Sequence, residues 1–346
     1  MVRSIKIMNR MSFFSASALS VIQTGLVILV APVMSGFHSF MSARFAGVAA
    51  PPVLRRLYLT RKYWSELSVQ PANVDVMASQ ANVIVAVAAT SGITSALVAS
   101  ALVPTSALGL ATAPLSDILT ITFLLMASYI SCQLVLLNGL SETAANTFRG
   151  IISVAAIIPV IFLVSVIFFT KSATTNLDVV LSSLRSESPF GDGAPFVLAA
   201  LALLISGSSS GSDEIETSAQ GTDRAMLMLA CDSISLVWLT LAGDLLWPGS
   251  LVVISESAGI LDSLGNLGLG FLLWIVRCIM LCIVLSVSRL IVAGPVAVIR
   301  MRTTAALLLL LFAIQIVFGS HLASVNSLGE TLQQEISRDH AEGKRL

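Results

Sequence analysis

Four charged side chains stand inside long apolar runs of this 346-residue chain: Asp232, Asp244, Arg277 and Arg289. A lone charge in the hydrocarbon of a bilayer costs on the order of 3 kcal/mol on the insertion scale, so each needs a partner or a hydrated cavity. Two chemistries are open. A carboxylate that binds and releases protons can belong to an ion path, whereas one held by a fixed guanidinium locks two helices together. Counted by helical rise from the ends of their runs, Asp232 and Arg289 fall at similar depths, so an interhelical pair is expected. The locking role is the preferred reading, because one fixed ion pair is not a relay.

A second group of acids lies between two apolar runs, in the stretch SGSSSGSDEIETSAQGTDR at 206–224. Asp213, Glu214, Glu216 and Asp223 stand there together, either as a soft connector or as a contact surface for a basic partner. The glycine–serine run before them lacks the Lys and the helix signature of a phosphate-binding loop. No nucleophile with its base, no metal cluster and no catalytic residue is recognised. Cys278 and Cys282 share a helix face, but no His or carboxylate joins them, and small apolar filler is the expected role. His38, His321 and His340 are expected to be solvated or interfacial. Asp117 and Glu142 are read as solvated helix ends.

The elements that carry these residues follow from composition. With 56% hydrophobic and 11% charged residues and a mean hydropathy of +0.92, the chain is expected to be an all-α, polytopic membrane protein. Dyad alternation, the mark of a barrel, is missing. A spanning helix needs about 20 apolar residues. Candidate runs lie near Phe13–Gly36, Ala81–Val103, Ile118–Leu140, Ile151–Thr170, Pro195–Ile205, Met226–Trp247, Leu269–Ala293 and Thr304–Phe318, the fifth being short. The first follows Arg3, Lys6 and Arg10 but is too long for a signal-peptide core, so a retained helix is expected. One transmembrane domain spans 1–346, with an amphipathic loop at 37–77, the acidic loop at 206–224 and a polar tail at 324–346.

Basic residues orient the chain. The 37–77 loop carries Arg44, Arg55, Arg56, Arg61 and Lys62, and alternate loops downstream carry Arg149, Arg224, and Arg300 with Arg302. The opposite loops carry Lys171 and Arg185. The first set is expected in the cytoplasm and both termini outside, against the weaker vote of the basic N-terminal tail. Tyr58, Tyr63 and Trp64, mixed with the basic residues, predict a segment lying on the membrane surface.

The order of short patterns resembles the membrane subunit family of respiratory complex I (subunit 1, or H), and most closely formate hydrogenlyase subunit 4 and hydrogenase-4 component C. Ala31-Pro32-Val33-Met34-Ser35-Gly36 resembles the end of that family's first helix. Ala43-Arg44, Ala50-Pro51, Val53-Leu54-Arg55 and Lys62 follow in order. Gly139-Leu140, Arg149, Pro159, Ala225-Met226-Leu227 and Ile299-Arg300-Met301-Arg302 continue the series. The resemblance implies eight helices and a subunit joining a cytoplasmic hydrogenase-like or dehydrogenase-like module to antiporter-like membrane subunits in an inner membrane. It also implies a quinone cavity and a carboxylate proton path, yet Gly150, Ile158 and Ala293 stand where glutamates are expected. Loss of quinone chemistry and of the proton relay is therefore expected, with no cofactor. The expected partner surface is Arg44, Arg55, Arg56, Arg61, Lys62, Arg149, Asp213, Glu214, Glu216 and Asp223. The alternatives are a free-standing ion or solute transporter, and a quinone-reducing subunit in which Glu214 and Glu216 replace the missing carboxylates.

Overall fold

The computed structural model describes residues 2–66, 76–139, 158, 160–188, 191, 193–206, 221–253, 260–291 and 303–319. Its helices are α1 (Val2–Phe45), α2 (Arg55–Ser65), α3 (Val76–Leu102) and α4 (Ile118–Gly139). They continue with α5 (Val160–Ser172), α6 (Leu177–Leu184), α7 (Ala194–Ser206), α8 (Gly221–Leu246), α9 (Ile260–Ile291) and α10 (Thr303–Gly319). Five of these (α1, α3, α4, α8 and α9) are long and apolar enough to cross a membrane, and α5, α7 and α10 are shorter apolar helices. The chain is thus an all-α polytopic membrane protein, and each expected apolar run falls on one of these eight.

The boundaries moved where apolarity was not the deciding signal. The first run continues as helix through Ser35, Gly36 and His38 to Phe45, because nothing there breaks the ladder and Pro32 is absorbed inside it. At 44 residues α1 is about 66 Å long by helical rise, twice the ~30 Å hydrocarbon core. Within the 37–77 segment the chain turns at Pro51 and Pro52 and forms α2, whose first turn has no side-chain cap.

The helix α8 is the axis of the bundle. Its apolar window is 72% buried, against 33–44% for the other four long spans, and α1, α2, α3, α4, α7 and α9 all pack on it. Small residues let α3, α4 and α8 approach closely, as is usual between helices in lipid. Ser128 Oγ donates to the Gly92 carbonyl at 2.6 Å, the Ser91 and Ser131 hydroxyls meet at 3.0 Å, and Ala88, Ala89 and Ala230 are buried between the backbones. On the other side the Phe168 ring of α5 meets Phe196 of α7 edge to face, centroids 5.5 Å apart. Trp238 Nε1 of α8 donates to the Leu203 carbonyl of α7 at 2.6 Å.

At the end of the bundle away from α2, polar loops close into a plate. Strands β1 (Ala107–Leu108) and β2 (Val252–Val253) pair in parallel, Ala107 with Val252 and Leu108 with Val253. Gln23 of α1 donates to the Val103 carbonyl at 3.1 Å. Asn176 caps α6 by accepting from the Val179 amide and donates to the Ala113 carbonyl at 2.9 Å. Asp178 accepts from the Gly109 amide at 3.1 Å. Burial raises the Asp178 carboxyl above its usual range, and that hydrogen bond only partly opposes the effect.

Candidate functional site

The two carboxylates of α8 are each held by an arginine, at two levels of the bundle. They are twelve positions apart, about 18 Å by helical rise. At the α2 end, Arg56 Nε and Nη2 donate to Asp232 Oδ1 at 3.2 and 3.1 Å. The two side chains are 6% and 0% exposed. At the opposite end Arg277 Nη2 of α9 donates to Asp244 Oδ1, and its Nη1 donates to Ser250 Oγ at 2.8 Å. Both of those residues are also buried.

Among the described residues the partner of Asp232 is Arg56, from the basic segment expected on the cytoplasmic side. Arg289 lies in the last turn of α9, and its side chain falls outside the described residues. Arg56 therefore leaves the proposed partner surface, being 5% exposed and bound to Asp232. The physical reason is the rotation of α2. Its inner face carries Arg56 and Thr60 together with the half-buried Tyr63, while Leu54, Leu57, Tyr58 and Trp64 are exposed. The polar stripe turns inward because an aspartate in a spanning helix needs a cation more than the bilayer edge does.

A second clamp holds α2. The Arg224 guanidinium in the first turn of α8 sits 3.9 Å from the Tyr63 ring centroid, a cation–π contact. The clamps are seven residues apart on α2 and eight apart, in reverse order, on α8. Those separations are about 10 and 12 Å by rise, so α2 runs antiparallel along α8 instead of lying free on a surface. Two glycines make these approaches possible. A Cβ at Gly36 of α1 would strike the Val53 carbonyl, and one at Gly243 of α8 would stand 2.9 Å from Arg277 Nε. Trp274 Nε1 of α9 donates to Thr240 Oγ1 of α8 at 2.9 Å, fixing the same contact one turn away.

A pocket of about 280 Å³ opens between α1 and α2, lined by Gly36, Ser39, Pro51, Pro52, Arg55, Arg56 and Leu59. His38 of α1 is half-buried and meets Ser286 of α9, Nδ1 to Oγ at 3.2 Å. Of the remaining surface candidates, Arg55 and Arg61 are exposed. Arg44 lies over the Phe40 ring at 5.6 Å. Lys62 pairs at 3.8 Å with Glu66, the residue just past the end of α2. Asp223 is in the first turn of α8, where the helix dipole favours an acid. Arg149, Asp213, Glu214 and Glu216 lie outside the described residues, as do Gly150 and Ala293. Ile158 is described and exposed.

Sequence reasoning also missed the cysteines that touch. Cys278 and Cys282 are buried in the main core, whereas Cys132 of α4 and Cys231 of α8 bring their sulfurs to 2.9 Å. Ninety-nine residues separate that pair, and no local spacing announces it. Among the described residues no group of His, Cys, Asp and Glu could hold a metal ion.

No family model matches the chain, and no curated protein matches it. Among solved structures it is similar to a chain of the membrane-bound sulfane sulfur reductase (MBS), an archaeal respiratory membrane complex. The TM-score is 0.62 at 15% identity, covering 86% of this chain and 98% of that one. At that identity the likeness establishes a shared fold: the chain is similar in structure to a subunit of a respiratory membrane complex.

Proposed function

We propose that the chain is the membrane-anchoring subunit of a respiratory assembly of the complex I and membrane-hydrogenase type. In this reading it joins a cytoplasmic hydrogenase-like or dehydrogenase-like module to antiporter-like membrane subunits in the inner membrane. The observation that carries the reading is the likeness to a respiratory-complex chain along almost the whole of both chains. The site chemistry supports an anchoring role. Asp232 and Asp244 each face a buried arginine, and a carboxylate fixed in that way serves as a lock between helices.

Arg55, Arg61, Arg44 and Lys62, with Arg149 and the acids Asp213, Glu214, Glu216 and Asp223, form the surface offered to the cytoplasmic module. Proton movement in such a complex runs through partner subunits, since Gly150 and Ala293 cannot bind a proton where the family resemblance expects glutamates. The test is to reconstitute the assembled complex with Glu214→Gln and Glu216→Gln, singly and together. Turnover and proton movement are expected to stay near the parent values. A fully assembled variant that loses quinone-coupled turnover would contradict the reading and assign the missing role to these loop carboxylates.

A further inference from the structure

Two of the four cysteines form a pair that the anchoring role leaves unused. Cys231 of α8 and Cys132 of α4 bring their sulfurs to 2.9 Å, and both are free thiols. That is closer than carbon atoms pack, about 3.5–4.0 Å, and within about 1 Å of disulfide bonding distance. The approach is built into the helices. Ala88, Ala89 and Ala230 are buried where α3, α4 and α8 meet, and a Cβ at Gly92 would stand 3.3 Å from Ser131 Cβ.

The two sulfurs differ in access. Cys132 is 1% exposed, whereas Cys231 is half-buried. A reachable thiol beside a buried one suits a pair in which the first meets the oxidant and the second resolves the product. Both lie deep in the spans. Cys231 is ten residues from the start of α8 and Cys132 fourteen from the start of α4, about 15 and 21 Å by rise. A charged oxidant from water pays the cost of entering hydrocarbon to reach that depth. A disulfide carrier protein would have to bring its own sulfurs against Cys231 between packed helices. An uncharged hydroperoxide dissolved in the acyl chains, or formed on them, meets neither barrier.

We propose that Cys132 and Cys231 are a dithiol site oxidised by a hydroperoxide of the lipid phase. Cys231 Sγ attacks the terminal peroxide oxygen and the O–O bond breaks. The thiol proton passes to the other oxygen, which leaves as an alcohol, and Cys231 becomes a sulfenic acid. Cys132 Sγ then attacks that sulfur, the S–O bond breaks, and water leaves with the Cys132 proton. Two thiols and one hydroperoxide give one disulfide, one alcohol and one water, two electrons passing from sulfur to oxygen. The product ties α4 to α8 across 99 positions, next to Asp232, which holds α2 through Arg56. The assignment does not depend on the respiratory reading and would stand if the chain worked alone.

The experiment uses the full chain, purified in the reduced state with whatever subunits accompany it and returned to liposomes of saturated phospholipid. Cumene hydroperoxide or hydrogen peroxide is added at equal concentration, and each cysteine is followed by alkylation and peptide mass spectrometry. Cys132 and Cys231 should disappear together into one linked peptide pair, with one cumyl alcohol formed per bond. The lipid-soluble peroxide should act at least roughly tenfold faster, because it concentrates in the apolar phase. Cys278 and Cys282, buried in the main core, should remain thiols. Cys132→Ser should leave the first step intact and accumulate a Cys231 sulfenic acid that dimedone traps. Cys231→Ser should slow the loss of Cys132 at least roughly tenfold, since access governs thiol oxidation. Loss of all four thiols at one rate, equal rates with the two peroxides, or a dimedone adduct on Cys132 in place of Cys231 would overturn the proposal. The first two outcomes are read on the unaltered chain and decide the matter even where a serine variant fails to fold.

Discussion

Replacing Asp232 with Leu leaves Arg56 buried without its carboxylate, and the consequence can be sized from the geometry. The side chains are 0% and 6% exposed, so the small values measured for surface pairs do not apply. Removing one partner of a buried pair costs about 3–5 kcal/mol. At about 1.4 kcal/mol per factor of ten, that is roughly two to nearly four orders of magnitude in the equilibrium holding α2 against α8. The lower end is expected, since α2 can swing outward and return Arg56 to water. The assay is thiol labelling of Thr60→Cys, in a background free of native cysteines, because Thr60 lies on the inner face of α2 and is 8% exposed. Labelling should be slow in the parent and at least a hundredfold faster with Asp232→Leu. The double variant Arg56→Met with Asp232→Leu should regain slow labelling, because a buried pair is often replaceable by apolar side chains without loss. Unchanged labelling in the single variant, or a double variant that labels as fast as the single, would refute the lock.

Two other outcomes test the architecture. Cys132 and Cys231, with sulfurs 2.9 Å apart, should be joined in the membrane by diamide, which accepts the two electrons and two protons released. A peptide bridging α4 and α8 in mass spectrometry would be the product, and its absence while Cys278 links to Cys282 would contradict the packing. Orientation is tested with single cysteines at Ser65 and Ser327 and an impermeant thiol reagent on intact cells. Ser327→Cys should label and Ser65→Cys should not; the reverse would invert the topology read from the basic loops.

The helices were legible because length and apolarity are local properties, and eight runs became five long and three shorter apolar helices in the same order. The partner of Asp232 was not. Counting depth along spanning runs admits only cations that themselves lie in such runs, and Arg56 comes from a short helix 176 positions away. Its inward face depends on how Pro51 and Pro52 return the chain and on the missing side chain at Gly36, which lets the Val53 carbonyl rest against α1. Read alone, the stripe of Arg56 and Thr60 on α2 resembles a solvated face. Only the uncompensated aspartate on α8 says otherwise. Asp244 and Arg277 were both recognised as charges needing partners, yet their mutual contact rests on Gly243, a residue that carries no signal of its own. The plate formed by β1, β2 and α6 stayed hidden for a related reason, since two-residue strands joined across more than 140 positions leave no periodic trace.

The central claim, that this chain works inside a larger respiratory assembly, is tested most directly by the mass and composition of the particle it occupies. Extraction in a gentle detergent followed by native mass analysis should find the 36.4 kDa chain in a much larger particle, together with antiporter-like membrane subunits and a cytoplasmic redox module. A monodisperse monomer or homodimer that moves an ion or solute across liposomes would contradict the account and identify the chain as a free-standing transporter.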